Sequence, residues 1–303
     1  MKVLITGIAG FVGSRLAEAL LGHGHEVSGI DNLTTGRRAN VPGGARFTLG
    51  DIRYPDELVH ATADEQIDLV YHCAASYKDR NAWEQDASTN VTGTINVVRL
   101  AKRSGARLVY FQTALCYGPS PVSPVTTDAP LAPVGSYAVS KTAGEAYIRD
   151  SGLDWVSLRL ANIYGPRNLS GPLPTFHMRL SAGEPCTVMD ARRDFVFIDD
   201  LVWVAVRAGS QGHGVYHVAS GTDYAIADLY RGVTSAMHLA AREPVITPRG
   251  ADDVATILLD PSGTLEEFGW TARTPLAEGI AQAVAWYRSH PVTETYTHLA
   301  AVR

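Results

Sequence analysis

Cysteine is scarce in this sequence. Its 303 residues hold three, Cys73, Cys116 and Cys186, widely spaced and without metal-ligand pairing. That usage fits a reducing compartment and argues against a metal centre. No apolar run reaches the length that crosses a bilayer. No basic run occurs and the formal net charge is -5, which argues against a nucleic-acid surface. The chain opens directly on a core strand, leaving no room for a signal or transit peptide, so a cytoplasmic location is expected. Internal repeats and low-complexity tracts are missing too. What is left is a soluble globular chain with 46% hydrophobic content, enough to bury a large core in one or two domains.

Glycine is present where it matters. The apolar run Val3-Leu4-Ile5 reads as a buried parallel strand and runs into Gly7, Gly10 and Gly13. From Ser14 to Leu21 the apolar residues recur at helical spacing. Strand, glycine turn and helix together form a cradle for a pyrophosphate, because glycine lets the backbone approach the anion and the helix N-terminus offers N–H groups. Three glycines alone also make a plain tight turn. The second strand, Glu26 to Ile30, ends in Asp31, eighteen residues after Gly13. A carboxylate there accepts hydrogen bonds from ribose hydroxyls and repels a 2′-phosphate, which selects NAD over NADP. Arg37 and Arg38 follow and would suit a phosphate, but Asp31 holds the strand-end position.

Further strand-like runs end at Asp51, Ala74, Thr113 and Asn162, with helical patterns at 87–104 and 136–150 between them. Such alternation predicts an α/β fold, a Rossmann-type doubly wound parallel sheet with helices on both faces and the ligand beyond the carboxyl ends of the strands. After Asn162 the regularity fades into Gly-Pro punctuation. Strand-like 195–198 and 215–218, a helix over 228–241 and a closing helix over 276–288 follow. The expected division is a nucleotide-binding domain over 1–162 and a mostly substrate-binding part over 163–303, with segments at about 195–218 returning to the first.

Tyr137 and Lys141 stand four apart in a helical segment, so phenol and ammonium share one face. A tyrosine normally titrates near ~10. A nearby lysine and an oxidised nicotinamide both favour phenolate and make Tyr137 a base near neutral pH. A Y-x-x-x-K pair on an exposed helix is common by chance; beside a dinucleotide fold it carries weight.

The motifs occur together in one order: Gly7-x-x-Gly10-Phe11-x-Gly13, Asp31-Asn32-Leu33, Gly50-Asp51-Ile52, His72-x-Ala74-Ala75, Asn90-Val91-x-Gly93-Thr94, Tyr117-Gly118, Tyr137-x-x-x-Lys141, Arg159-x-x-Asn162-x-Tyr164-Gly165-Pro166-Arg167, Arg193-Asp194-Phe195 and Gly269-Trp270. Over nearly its whole length the chain resembles the extended short-chain dehydrogenase/reductases of the NAD-dependent epimerase/dehydratase family, which act on nucleotide sugars. The resemblance implies that Gly7, Gly10, Phe11, Val12, Gly13, Asp31, Asn32, Asp51, Ile52, Ala74, Ala75, Asn90, Tyr137 and Lys141 hold NAD. It implies that Thr113 hydrogen-bonds the sugar O4, that Tyr137 is the acid/base and that Lys141 tunes it. Asn162, Arg193 and Arg249 match residues that grip the substrate diphosphate, a role suited to a guanidinium fork; for Arg193, an ion pair with Asp194 or Asp199 is the other reading. A homodimer joined through the helices at 87–104 and 136–150 is also implied.

The pattern departs from the family's eliminating members, which carry acidic residues in the two positions after the hydroxyl. Here Ala114 and Leu115 stand there, and neither exchanges protons. The expected reaction is therefore a redox-neutral 4-epimerisation of a UDP-hexose or UDP-hexuronate. A 4-ketoreductase or dehydratase of the same family, or a non-catalytic NAD-binding scaffold, are the alternatives. His72 reads as a structural hydrogen-bonder, His177 as a surface residue and Cys116 as buried and inert. Lys78 and Arg80 read first as a solvated loop pair, and as a tilt toward a uronate if they face the pocket.

Overall fold

Strands as apolar as Val3-Leu4-Ile5 need a sheet covered on both faces. The computed structural model describes residues 1–303 apart from 64, 78, 80, 121, 241–242, 249–255 and 297–303. Its first half runs β1 (Lys2–Thr6), α1 (Phe11–Gly22), β2 (Glu26–Asp31), β3 (Arg46–Leu49), α2 (Pro55–Thr62), β4 (Leu69–His72), α3 (Trp83–Asp86), α4 (Thr94–Ser104), β5 (Arg107–Thr113), α5 (Ser136–Arg149) and β6 (Trp155–Leu160). The second half carries β7 (Asn162–Tyr164), α6 (Pro172–Ser181), β8 (Thr187–Met189), β9 (Arg192–Phe197), α7 (Ile198–Ala208) and β10 (Gly214–Val218). Then come β11 (Asp223–Ala225), α8 (Ile226–Ala236), β12 (Val245–Thr247), β13 (Thr256–Ile257), α9 (Ser262–Phe268) and α10 (Leu276–Ser289).

Seven strands form one parallel sheet in the order β10-β6-β5-β4-β1-β2-β3. The order reverses between β1 and β4, the switch point at which such sheets open a crevice. Alternate side chains feed two cores. Val3, Ile5, Val109 and Phe111 belong to one face; Leu4, Val70, Leu108 and Tyr110 belong to the other. Each fully buried aliphatic among them stabilises the fold by roughly 1.5–3 kcal/mol.

Between α3 and α4 the helix widens into a π-turn over Ala87–Gly93, a distortion that is rare outside functional regions. On α5 the buried face includes Ala138, Lys141, Glu145 and Ile148. Burying two charged residues on one helix face demands partners for both, and both are found below.

A second sheet, β11-β9-β13 with β7 on β9, lies in the later half. Its strand β9 covers Arg192–Phe197, so residues 195–197 pair here and not in the large sheet, contrary to the expectation for 195–218. The return to the large sheet is made by α7 and β10. Helix α7 packs on α1, with Arg15 of α1 reaching Asp199 at 2.6 Å. Among the described residues no helix is long and apolar enough to cross a membrane.

Candidate active site

A cleft of about 680 Å³ opens at the carboxyl ends of the strands. Gly7, Gly10, Phe11, Val12 and Gly13 line its floor. Gly7 has φ +72°, and a Cβ there would lie 2.8 Å from the backbone nitrogen of Ala74, so β1 and the end of β4 meet with only hydrogen between them. A Cβ on Gly13 would lie 2.2 Å from the Gly7 carbonyl oxygen. The turn is thus closed on itself, with the N-terminus of α1 facing the crevice.

Asp31 ends β2 beside that turn and is buried. Its carboxylate accepts from the backbone N–H of Ala9 at 2.9 Å and of Leu33 at 2.8 Å. Burial pushes its pKa up, and the backbone N–H groups oppose this. Asn32 donates from Nδ2 to Asp51 at 2.8 Å, and the Arg53 guanidinium donates to both Asp51 oxygens. Burial would raise Asp51, yet these hydrogen bonds hold it below the usual carboxylate range. Asp31, Asn32, Asp51, Ile52, Ala74 and Ala75 all line the cleft. A glycine cradle too tight for a Cβ, followed by a strand-end carboxylate, fits a dinucleotide: pyrophosphate at the turn, ribose hydroxyls at Asp31.

Asn90, one of the expected cofactor contacts, lies on the π-turn and is buried. From the π-turn its amide clamps the loop behind the wall: Nδ2 donates to the Ser76 carbonyl at 2.9 Å and to the Ser140 hydroxyl at 3.0 Å, and Oδ1 accepts from the Ser76 N–H at 2.8 Å. His72 is fully buried between the hydroxyls of Thr6 and Thr94, at 2.7 and 2.9 Å, which is a structural role. Cys116 is buried, which raises its thiol to about 12. His177 is buried against the Tyr287 ring, which corrects its reading as a surface residue.

Thr113 and Tyr137 both face the cleft. Thr113 ends β5 and caps the 3₁₀ turn Ala114–Tyr117, its hydroxyl accepting from the Leu115 N–H at 3.2 Å. That leaves the hydroxyl proton to be donated into the cleft. Tyr137 stacks edge-on against Tyr77, ring centroids 6.2 Å apart. Burial, then Tyr77 and Asp86, push the Tyr137 phenol above its usual range. Lys141 lies behind the cleft wall, with Nζ 3.9 Å from the centre of the Tyr110 ring. Burial lowers its pKa to about 7. Lys141 stands one turn along α5 from Tyr137, the spacing expected to bring an ammonium toward the phenol. The helix itself is pinned there, since Tyr110 Oη and Gln112 Nε2 donate to the Lys141 carbonyl at 3.0 and 3.1 Å. Sequence reasoning missed this pair, although two polar residues at period 2 on an apolar strand were the available signal.

On the far side, Asn162 lines the cleft and donates to the Asp194 carbonyl at 3.1 Å. Arg193 sits on β9, buried, and donates to the Arg192 carbonyl at 2.7 Å; it is not a lining residue. Of the two carboxylates the sequence offers it, Asp194 accepts from Ser220 and Gly221, and Asp199 accepts from Arg15. Arg249, Lys78 and Arg80 lie outside the described residues. Tyr164 and Phe195, which stood in the motifs without a role, and Leu173, which the sequence did not single out, complete an apolar wall. Among the described residues no cluster of His, Cys, Asp and Glu could hold a metal ion.

Comparison with known proteins gives consistent matches. The family model of the NAD dependent epimerase/dehydratase family matches residues 3–226. A UDP-glucose 4-epimerase of Mycolicibacterium smegmatis is 32% identical, the match covering 95% of this chain and 99% of that protein. The Bordetella bronchiseptica enzyme WbmH, solved in complex with NAD+, is 50% identical with a TM-score of 0.92, covering 96% of this chain and 99% of that one. WbmG of the same organism, solved with NAD and UDP, is 42% identical with a TM-score of 0.91, covering 99% and 98%.

Proposed function

Since the chain belongs to the NAD dependent epimerase/dehydratase family, we propose that it interconverts the C4 epimers of a UDP-hexose or UDP-hexuronate. NAD is the cofactor, supplying when bound the two-electron chemistry that oxidises the C4 alcohol and reduces the resulting ketone. The observation that carries the reading is the wall around Thr113. The hydroxyl and the Tyr137 phenol share the cleft, while the two residues after Thr113 are apolar, Ala114 buried in the core and Leu115 packed against it. An elimination needs an acid and a base there, and this chain supplies neither.

Tyr137 takes the O4 proton as C4 is oxidised and gives it back as C4 is reduced. Burial favours the protonated phenol, and nearby positive charge makes it a base. Lys141 provides part of it from one turn along the same helix face. Thr113 donates its hydroxyl proton to O4 and orients the sugar. Asn162, Arg193 and Arg249 hold the diphosphate while the 4-keto sugar turns over, so that its opposite face is presented. UDP is favoured as the nucleotide because WbmG was solved with it. A homodimer through α4 and α5 goes with this reading, with Val139 and Tyr147 of α5 about half exposed; light scattering reads the mass directly.

The test is to incubate UDP-glucose, UDP-N-acetylglucosamine and UDP-glucuronate separately in deuterated buffer and follow the products by NMR. One of them should yield its C4 epimer without label at C5. Deuterium at C5, a 6-deoxy-4-keto product or release of carbon dioxide would refute the assignment.

A further inference from the structure

Two residues of the sequence motifs, Tyr117 and Arg159, have no part in the chemistry above, yet they meet Glu145 of α5 beneath the site. Gln112, Arg159 and His217 are neighbours across β5, β6 and β10. Arg159 and Glu145 are each 4% exposed at the side chain. Arg159 donates from Nε and Nη2 to the two oxygens of Glu145 and from Nη1 to the Tyr117 hydroxyl at 2.6 Å. Tyr117 Oη lies 2.6 Å from His217 Nε2, and His217 Nδ1 lies 2.9 Å from the Asp260 carbonyl.

The proton positions follow. Burial lowers the His217 pKa to about 4, so the ring is neutral at neutral pH. A carbonyl only accepts, so the one N–H is at Nδ1 and Nε2 is the acceptor. Tyr117 therefore donates to His217 and accepts from Arg159. Every hydrogen bond in the chain then has a fixed direction, and no member can reverse without breaking another.

We infer that this relay positions the two cleft groups against each other: Arg159 holds the helix bearing Tyr137 through Glu145, and holds the turn bearing Thr113 through Tyr117. Glu145 is on α5, two turns after Tyr137. Tyr117 ends the 3₁₀ turn that Thr113 caps. Arg159 is the shared anchor, and only a forked guanidinium reaches both. These are positioning residues; none of them lines the cleft. The inference rests on the proposed epimerase reading for its kinetic test alone.

Tyr117→Phe removes one oxygen and leaves the Arg159–Glu145 pair in place. In the NAD-loaded protein, kcat should fall about tenfold while KM and NAD content stay within twofold, and amide exchange at Leu115 should quicken while β1 is unchanged. Arg159→Lys, which keeps the charge but not the fork, should show the same split, so a Tyr117→Phe protein that fails to fold does not end the test. Wild-type kcat in folded Tyr117→Phe, or a loss confined to KM, would overturn the relay. If the wild-type protein epimerises no UDP-sugar, the functional reading falls, and unchanged exchange at Leu115 in Tyr117→Phe would then overturn the relay by itself.

Discussion

Replacing Gly13 with alanine adds one carbon, and the backbone fixes what that carbon meets. It would lie 2.2 Å from the Gly7 carbonyl oxygen, 2.9 Å from the carbonyl carbon and 3.0 Å from Ile8 Cα. All three are main-chain atoms, so no rotamer relieves the overlap. The Gly7 oxygen must retreat by about 0.8 Å to reach even 3.0 Å, the lower limit of real Cβ contacts. Gly7 cannot move alone: its N–H donates to the Ile30 carbonyl at 2.8 Å and its oxygen accepts from Gly10 at 3.1 Å. Overpacking of this kind costs about 1–3 kcal/mol. Displacing an N–H from a charged phosphate oxygen costs about 1.5–3 kcal/mol more. The overpacking is felt with and without NAD, whereas the lost contact falls on binding, so at about 1.4 kcal/mol per tenfold NAD affinity should fall roughly 10- to 10²-fold. Calorimetric titration of NAD into NAD-free protein reads this, with circular dichroism to show that the fold persists. Gly10→Ala is the graded control, because its Cβ would stand 3.2 Å from the same oxygen, and its loss should be clearly smaller. A folded Gly13→Ala protein that binds NAD within threefold of wild type would refute the cradle.

Two further outcomes are expected. Tyr137→Phe should lower turnover by about 10²–10⁴ with the bound NAD content unchanged; near-normal activity would remove Tyr137 as the base. Lys141, with a folded pKa of about 7 against an ordinary 10.5, makes stability pH-dependent. Below 7 both folded and unfolded states are protonated and the burial penalty is felt in full; above 10.5 both are neutral and it vanishes. The melting temperature of NAD-free protein should therefore gain a rising contribution from pH 7 to 10 that Lys141→Met lacks, and parallel curves for the two proteins would contradict the burial argument.

Much of this was legible in the sequence because it is local. Apolar runs ending in Asp31, Asp51, Ala74 and Thr113 mark strand ends by composition alone, and Tyr137 and Lys141 mark a helix face by spacing. What escaped depended on contacts distant in sequence or on broken periodicity. The helix read from residue 87 begins at Trp83, because Ala82 offers no capping side chain and the π-turn at Ala87–Gly93 breaks the 3.6-residue period. Asn90 stood out as a motif residue, but only the fold brings Ser76 and Ser140 to its amide. The helix over 228–241 stops at Ala236, where no Gly or Pro marks the end. Residues 195–197 are strand as read, while Ile198 already opens α7, and an apolar run says nothing about which sheet receives it. Tyr117 and His217 are a hundred positions apart, beyond any local pattern.

The late return of α7 and β10 to the large sheet bears on how the chain can be assembled. A ribosome that has released residues 1–162 has delivered six of the seven strands, but the outer edge of β6 is still bare and α1 still lacks the cover of α7. Bare edges of that kind recruit other chains. The stretch from β7 through β9 must emerge before the edge is closed at Val218, so the nucleotide-binding half matures only when part of the other half exists. The sheet gives residue 162 no place to cut, since β10 pairs with β6. A fragment ending there would present the Trp155–Leu160 edge to its neighbours, whereas one extended through Val218 would carry its own closing strand.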